Sequence, residues 1–220
     1  MPEKDEKIKQ HIIDHLTWDA SVHANEVNVS VKNGKVELRG NVQNYTARVA
    51  AERNAYQVSG VTEVSNFLEI SFPPAQTLPT DEEINENIRR ILSWNSNADA
   101  SMVEVTTKEH TVALDGKIGS YWEKNVIEDI VNGVRGVVEV NNNLSVKPKL
   151  KALDINIKND IESAFERTNL INEDNIDVEV KKAVVTLKGA VRNFFIKSQA
   201  HNIAIYTTGV VDVVDEMTVK

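Results

Sequence analysis

The 220-residue chain contains no cysteine. That excludes disulfides, thiolate nucleophiles and cysteine-bound zinc, and it leaves the redox character of the compartment open. Aromatic residues make up only 5% of the sequence, and no run approaches the roughly 20 apolar residues that a membrane-spanning helix needs. The opening residues Met1-Pro2-Glu3-Lys4-Asp5-Glu6-Lys7 lack the apolar stretch of a secretory leader. As written, the chain is expected to be cytoplasmic, and a removed signal peptide would make it periplasmic. Basic charge is also in deficit, with 25 Lys and Arg against 33 Asp and Glu and a net charge of -8. Such a balance repels nucleic-acid phosphates and anionic surfaces at long range, so no nucleic-acid partner is expected.

Catalytic signatures are missing as well. The sequence has no phosphate-cradling glycine loop, no nucleophile elbow and no zinc signature. Adjacent acids such as Glu128-Asp129 point in different directions on a helix and make a poor acid–base pair. Neither an enzyme nor a cofactor is expected.

With 41% hydrophobic and 26% charged residues, the composition is that of an ordinary globular protein, and it is organised as a threefold repeat. Aligned on Gly40, Gly116 and Gly189, each copy has a second glycine 20 positions later, at Gly60, Gly136 and Gly209. Before each anchor glycine stands an apolar stripe at four-residue spacing, the mark of one helical face. The stripes are Ile8, Ile12 and Leu16, then Ile84, Ile88 and Leu92, then Ile157, Ile161 and Phe165. Alternating segments starting at Val27, Val103 and Ile176 predict a first strand, and those starting at Val36, Val112 and Val185 a second. Asn33-Gly34 predicts a tight hairpin turn between them, whereas Glu109-His110 and Lys182-Ala183 stand there in the other copies without fixing a turn type. The anchor glycine, in phase with the apolar face, reads as a place of close backbone approach or a bulge.

Asn44, Ser120 and Asn193 are N-cap residues for a second helix, and Ser120 with Glu123 forms a possible capping box. The second glycine is expected to end that helix and, with the valine after it, to open a last strand. The domains predicted are 1–72, 81–148 and 151–220, joined through the stiff Pro73–Pro79 segment and the shorter Lys147–Lys151 segment. Charge is unevenly shared, with 8 basic against 10 acidic groups in residues 1–80, 7 against 12 in 81–148, and 10 against 11 in 149–220.

This order, with the closing patterns Gly60-Val61-Thr62-Glu63-Val64-Ser65-Asn66 and Gly136-Val137-Val138-Glu139-Val140-Asn141-Asn142, resembles the BON domain of bacterial envelope and osmotic-stress proteins. The resemblance covers nearly the whole chain, three times. It implies an α+β fold of three tandem αββαβ domains, each a small three-stranded sheet packed against two helices. It also implies a non-catalytic, stress-associated role, with phospholipid or another envelope component, including envelope proteins, as the partner. Osmotically inducible periplasmic members are similar in being little more than tandem BON domains, though they typically carry two copies and a signal peptide.

Within that frame, the candidate lipid-binding residues lie at the start of each second helix. An aromatic and a cation recur there as Tyr45 and Arg48, Tyr121 and Lys124, and Phe194 and Lys197. A helix N-terminus with a nearby cation suits a lipid phosphate, while the ring can enter the interface or pack on the sheet. Trp18 and Trp94 occupy equivalent places near the ends of the first helices, with Arg167 in the third copy. They can anchor at a membrane interface if exposed, or cover a core or an interdomain contact if not. His11 and His15, one turn apart, can share a metal with His23 or Asp14, but the other copies do not repeat them, and no metal is expected. Asn66, Asn142 and Asp215 interrupt the last strand at one position and are expected to bind backbone at a bulge. A scaffold binding polypeptide through sheet edges or aromatic patches is the alternative function. Ion sensing is a lesser one, since a cytoplasmic potassium-binding protein also contains a BON domain.

Overall fold

A computed structural model of the chain describes residues 2–72, 78–96, 98–148, 152–168 and 176–220. Most of both predicted linkers lies outside the described residues. The architecture is α+β, and each repeat supplies one small mixed sheet and two helices.

Repeat one runs α1 (Pro2–Trp18), β1 (Val27–Lys32), β2 (Lys35–Val42), α2 (Tyr45–Tyr56) and β3 (Glu63–Ile70). Repeat two runs α3 (Asp81–Trp94), β4 (Val103–Lys108), β5 (Thr111–Ile118), α4 (Tyr121–Asn132), β6 (Glu139–Asn142) and β7 (Ser145–Val146). Repeat three runs α5 (Asp154–Arg167), β8 (Ile176–Lys181), β9 (Val184–Val191), α6 (Phe194–Tyr206) and β10 (Asp212–Val219). In repeats one and three the hairpin strands pair antiparallel, and the last strand pairs parallel with the second, which becomes the centre of the sheet. The parallel pairing is what requires the second helix as a crossover. In repeat two, β6 and β7 both pair with β5.

Both helices of repeat one cover the same face of its sheet. The stripe Ile8, Ile12 and Leu16 is buried against Val36, Leu38 and Val42 of β2, Leu68 of β3, and Ala47, Ala51 and Ala55 of α2. The opposite face is solvated, and there the Arg39 guanidinium lies 4.5 Å over the half-exposed Phe67 ring. Repeat three is built alike, with Ile157, Ile161 and Phe165 on Val185, Leu187 and Val191.

All three hairpins turn in the same way. Both turn residues have positive φ in every copy: Asn33 and Gly34, Glu109 and His110, and Lys182 and Ala183. This is the two-residue turn whose twist matches a right-handed hairpin. Four of the six residues are neither glycine nor asparagine and hold a conformation that a Cβ disfavours. An aspartate at the start of each repeat's first helix stabilises it. Asp5 accepts hydrogen bonds from the Asn33 and Gly34 N–H groups at 2.9 and 3.1 Å. Asp81 does the same for Glu109 and His110, and Asp154 for Lys182 and Ala183. The bond from the His110 N–H, joined by that from Glu109, holds the Asp81 carboxyl below the ordinary carboxylate range.

Two sequence expectations are corrected. The second helices end at Tyr56, Asn132 and Tyr206, three or four residues before Gly60, Gly136 and Gly209, so the glycine sits in the following turn and does not terminate the helix. Its φ is 92° to 97° in the three copies, and a side-chain carbon on Gly60 would stand 3.0 Å from Ile8 Cδ1. Nor is there a bulge at Asn66 or Asp215, where the parallel register runs unbroken.

By packing, the described residues form two units. One comprises Met1–Ile84, Thr107–Thr111 and Asn132–Glu139, and in it the Phe72 ring lies 6.4 Å from that of His110 in repeat two's hairpin turn. The other comprises Asn85–Thr106, Val112–Val131 and Val140–Lys220.

At the anchor, a side-chain carbon on Gly40 or Gly116 would fall 2.1 Å from the carbonyl oxygen of Glu26 or Met102, and both glycines have positive φ. Gly40→Ala and Gly116→Ala are each expected to destabilise by about 3 kcal/mol, through backbone displacement and strain. Urea melts of the single variants check this; a loss under about 0.5 kcal/mol, the size of an ordinary surface change, would show that the approach is not obligatory.

Candidate functional site

The start of each second helix, where aromatic and cation recur, is capped from within the chain. Asn44 Oδ1 accepts from the Ala47 N–H at 2.8 Å, and Asn193 Oδ1 from the Ile196 N–H at 3.0 Å. In repeat two Ser120 Oγ accepts from the Glu123 N–H at 3.4 Å and donates to the Glu123 carboxylate at 2.9 Å. Part of the N–H set that would meet a phosphate is thus occupied, and α4 carries a carboxylate in its first turn.

The three cations lie where the second helix meets the last strand. Asn66 donates to the Arg48 carbonyl at 3.0 Å and the Glu52 carboxylate at 3.1 Å, and accepts from the Leu68 N–H at 3.2 Å. Asn142 repeats this with the Lys124 carbonyl, Glu128 and the Leu144 N–H. The polar residue in the last strand therefore fastens helix to sheet and satisfies backbone two residues on. In repeat three Asp215 replaces the asparagine and His201 replaces the glutamate. Lys197 closes the gap: its ammonium donates to the Met217 carbonyl at 2.6 Å and stands 3.5 Å from Asp215, which accepts from the Met217 N–H at 2.9 Å. Burial lowers the His201 imidazole, against the opposing charge of Asp215. Lys197 is thereby engaged within its own domain, while Arg48 and Lys124 have half-buried side chains.

The aromatics diverge. Tyr45 and Phe194 are half-buried. Tyr121 faces repeat three: it packs against that repeat's core, and its hydroxyl bonds with the Asp212 carboxylate and the Val213 N–H. Its neighbour Trp122 stacks on Tyr206 at 6.4 Å between ring centroids, with 27° between ring planes. The start of α4 is therefore a contact between repeats two and three. Burial first, and then the Asp212 charge, raise the Tyr121 phenol above its ordinary value.

Trp18 and Trp94 are the last residues of α1 and α3, and they are 89% and 84% exposed. Neither covers a core. Phe195, the counterpart of Trp122, is 55% exposed. Among the described residues, no group of three or more His, Cys, Asp or Glu side chains is placed to hold a metal ion. Sequence reasoning missed the aspartate clamp, although Asp5, Asp81 and Asp154 all stand 35 positions before the anchor glycine.

Three helix–hairpin–helix–strand units, each with its paired glycines and each matching the BON domain over residues 4–71, 80–148 and 154–220, decide the family. The chain belongs to the BON domain family. A similar protein is the 21 kDa hemolysin of Actinobacillus pleuropneumoniae, 30% identical over 138 residues that span 62% of this BON chain and 71% of the hemolysin. Among solved structures, the C-terminal domain of CdsD, the structural protein of the type III secretion system of Chlamydia trachomatis, is 13% identical. It matches 96% of this chain and 95% of that one, with a TM-score of 0.26. The PrgH periplasmic domain is 12% identical over 89% of this chain and 95% of its own, with a TM-score of 0.23. Superpositions at these scores do not bear on the function of the BON chain.

A raised phenol pKa means that the folded state favours protonated Tyr121, so its contribution is complete below pH 10 and is lost as pH rises through the folded-state value. Tyr121→Phe is expected to cost about 1 kcal/mol at pH 7, the worth of one hydrogen bond, with the gap closing in alkali. Chemical denaturation at pH 7 and above pH 10 checks this; a variant as stable as the parent at pH 7 would remove the hydroxyl from the contact.

Proposed function

We propose that this BON chain is a non-enzymatic, stress-associated binding module that recognises phospholipid or another cell-envelope component. The observation that carries the reading is the pair Trp18 and Trp94. Two of the chain's three tryptophans stand at equivalent positions, at the ends of first helices, with almost their whole surface in water. A large amphipathic ring gains most from the boundary between headgroups and acyl chains. Among the described residues no helix is long and apolar enough to cross a membrane, so attachment in this reading is peripheral. The relative's name, hemolysin, denotes an agent that lyses red cells, which agrees with a membrane target.

Charge shapes the preference. The net charge of -8, concentrated in repeat two, opposes anionic surfaces, so the ring term has to dominate. A polypeptide partner is the second reading, favoured by the half-exposed Phe195 at the start of α6.

Sedimentation of the full chain with neutral and with anionic vesicles, at low and moderate salt, tests the first reading. Binding is expected to neutral vesicles with little salt dependence, and a Trp18→Ala, Trp94→Ala double variant should lose affinity about tenfold or more, equivalent to at least about 1.4 kcal/mol. Equal sedimentation of the variant, or none of either protein, would overturn the membrane reading and turn the search to polypeptide partners.

A further inference from the structure

Repeat two contains a crevice at a place that repeat one fills with hydrocarbon. The crevice has a volume of about 580 Å³ and is lined by Arg89 and Leu92 of α3, Val103 and Val105 of β4, Asp99 before β4, and Glu123 of α4, among others. That volume lies within the range of small-molecule sites. Where repeat two has Arg89, Ala98 and Glu123, repeat one has Ile13, Val22 and Ala47. Val22 and Ala47 are buried there, and Ile13 packs against the core. In repeat three the Glu123 position is Ile196, 3% exposed, and the Leu92 position is the bulkier Phe165, also buried. The Arg89 position is Glu162 in repeat three, so it is relative to repeat one that repeat two has exchanged apolar volume for space and charge.

The crevice lining carries charge of both signs. Arg89 Nη2 donates to the Val105 carbonyl at 3.2 Å, which orients the guanidinium while using one of its five N–H donors. Glu123 Oε1 accepts from the Asp99 N–H at 3.5 Å, and Asp99 Oδ1 accepts from the Ser101 hydroxyl at 2.6 Å. Leu92, Val103 and Val105 add apolar lining. A simple anion would meet two carboxylates, and a simple cation would meet the guanidinium. A molecule bearing both charges on a short carbon chain satisfies both kinds of group. The exposed Trp94 lies in sequence between Ser93 and Asn95, both of which line the crevice.

We propose that this crevice binds a zwitterion in which an ammonium and a phosphate are joined by a short carbon chain, the chemistry shared by free phosphoethanolamine and the headgroup of an ethanolamine phospholipid. The lipid source rests on the membrane reading above; the free source does not.

The test is isothermal titration of the full chain with phosphoethanolamine, with inorganic phosphate and with ethanolamine. Alongside it, sedimentation compares vesicles of phosphatidylcholine alone and mixed with phosphatidylethanolamine. Two variants are compared: R89I/A98V/E123A, which gives repeat two the residues of repeat one, and E123Q, which keeps the capping geometry and removes one charge. Phosphoethanolamine should bind about tenfold or more tighter than either fragment, the triple variant should lose that binding, and E123Q should weaken it. Circular dichroism establishes whether the triple variant is folded; if it is not, E123Q decides. Discrimination between the two vesicle types that the variants abolish identifies the lipid headgroup as the source. Binding of the free zwitterion without any vesicle binding keeps the crevice site and defeats the membrane reading. Phosphoethanolamine binding no tighter than its fragments, or unchanged in folded variants, overturns the proposal even where vesicles bind through Trp18 and Trp94.

Discussion

In repeats one and two the fold turns on a close backbone approach at the far end of the hairpin, where the centre strand meets the start of the first. Gly40 pairs with Val27 and Gly189 with Ile176, and the carbonyls of Glu26 and Met102 occupy the space where a side chain on Gly40 or Gly116 would stand. With the hairpin held there, the chain leaves the centre strand within two residues, meets the Asn44, Ser120 or Asn193 cap and enters the second helix. The crossover then brings the last strand back parallel on the free side of the centre strand. At the opposite end the aspartate clamp ties the first helix to the hairpin turn. Two long-range constraints, one of sterics and one of hydrogen bonding, thus bracket a core of aliphatic stripes.

Because the frame is held at both ends, the rest of each repeat has been free to diverge. The fastening of the second helix to the last strand uses an asparagine and a glutamate in two copies and a lysine and an aspartate in the third. The first turn of the second helix is an intramolecular contact in repeat two, through Tyr121 and Trp122, whereas Phe195 at the matching place in repeat three is half-exposed. Positions that are apolar in repeat one become Arg89 and Glu123 in repeat two, and in repeat three they are Glu162 and Ile196. Triplication separates what the fold requires from what a single copy can spend on recognition.

The required part was legible in the sequence because three copies in register distinguish a rule from an accident. The helical stripes, the strand alternation, the Asn44, Ser120 and Asn193 caps and the αββαβ order all repeat at fixed offsets. Turn type was legible only at Asn33-Gly34. Glu109-His110 and Lys182-Ala183 adopt the same turn because Asp81 and Asp154, 28 and 29 residues away, bond to their N–H groups, and local propensity carries no trace of that. The helix ends were misplaced because the glycines that seemed to terminate them serve close packing in the next turn, against Ile8 in repeat one. Side-chain destinations were the least legible. A tryptophan at the last position of a helix can turn to the core or to water, and a tyrosine at a helix start can face a ligand or a neighbouring repeat. Only the packed structure distinguishes Trp18 and Trp94, in water, from Tyr121, against repeat three.

The membrane account rests on the two exposed tryptophans reaching lipid while the third stays on Tyr206. The most direct measurement is quenching of tryptophan fluorescence by vesicles of brominated phosphatidylcholine, in a Trp122→Phe background that leaves Trp18 and Trp94 as the only emitters. Quenching greatest with bromine near the headgroup end of the acyl chain, together with a blue-shifted emission, is the result the account predicts. Emission that stays at its value in water and is indifferent to bromine would contradict it.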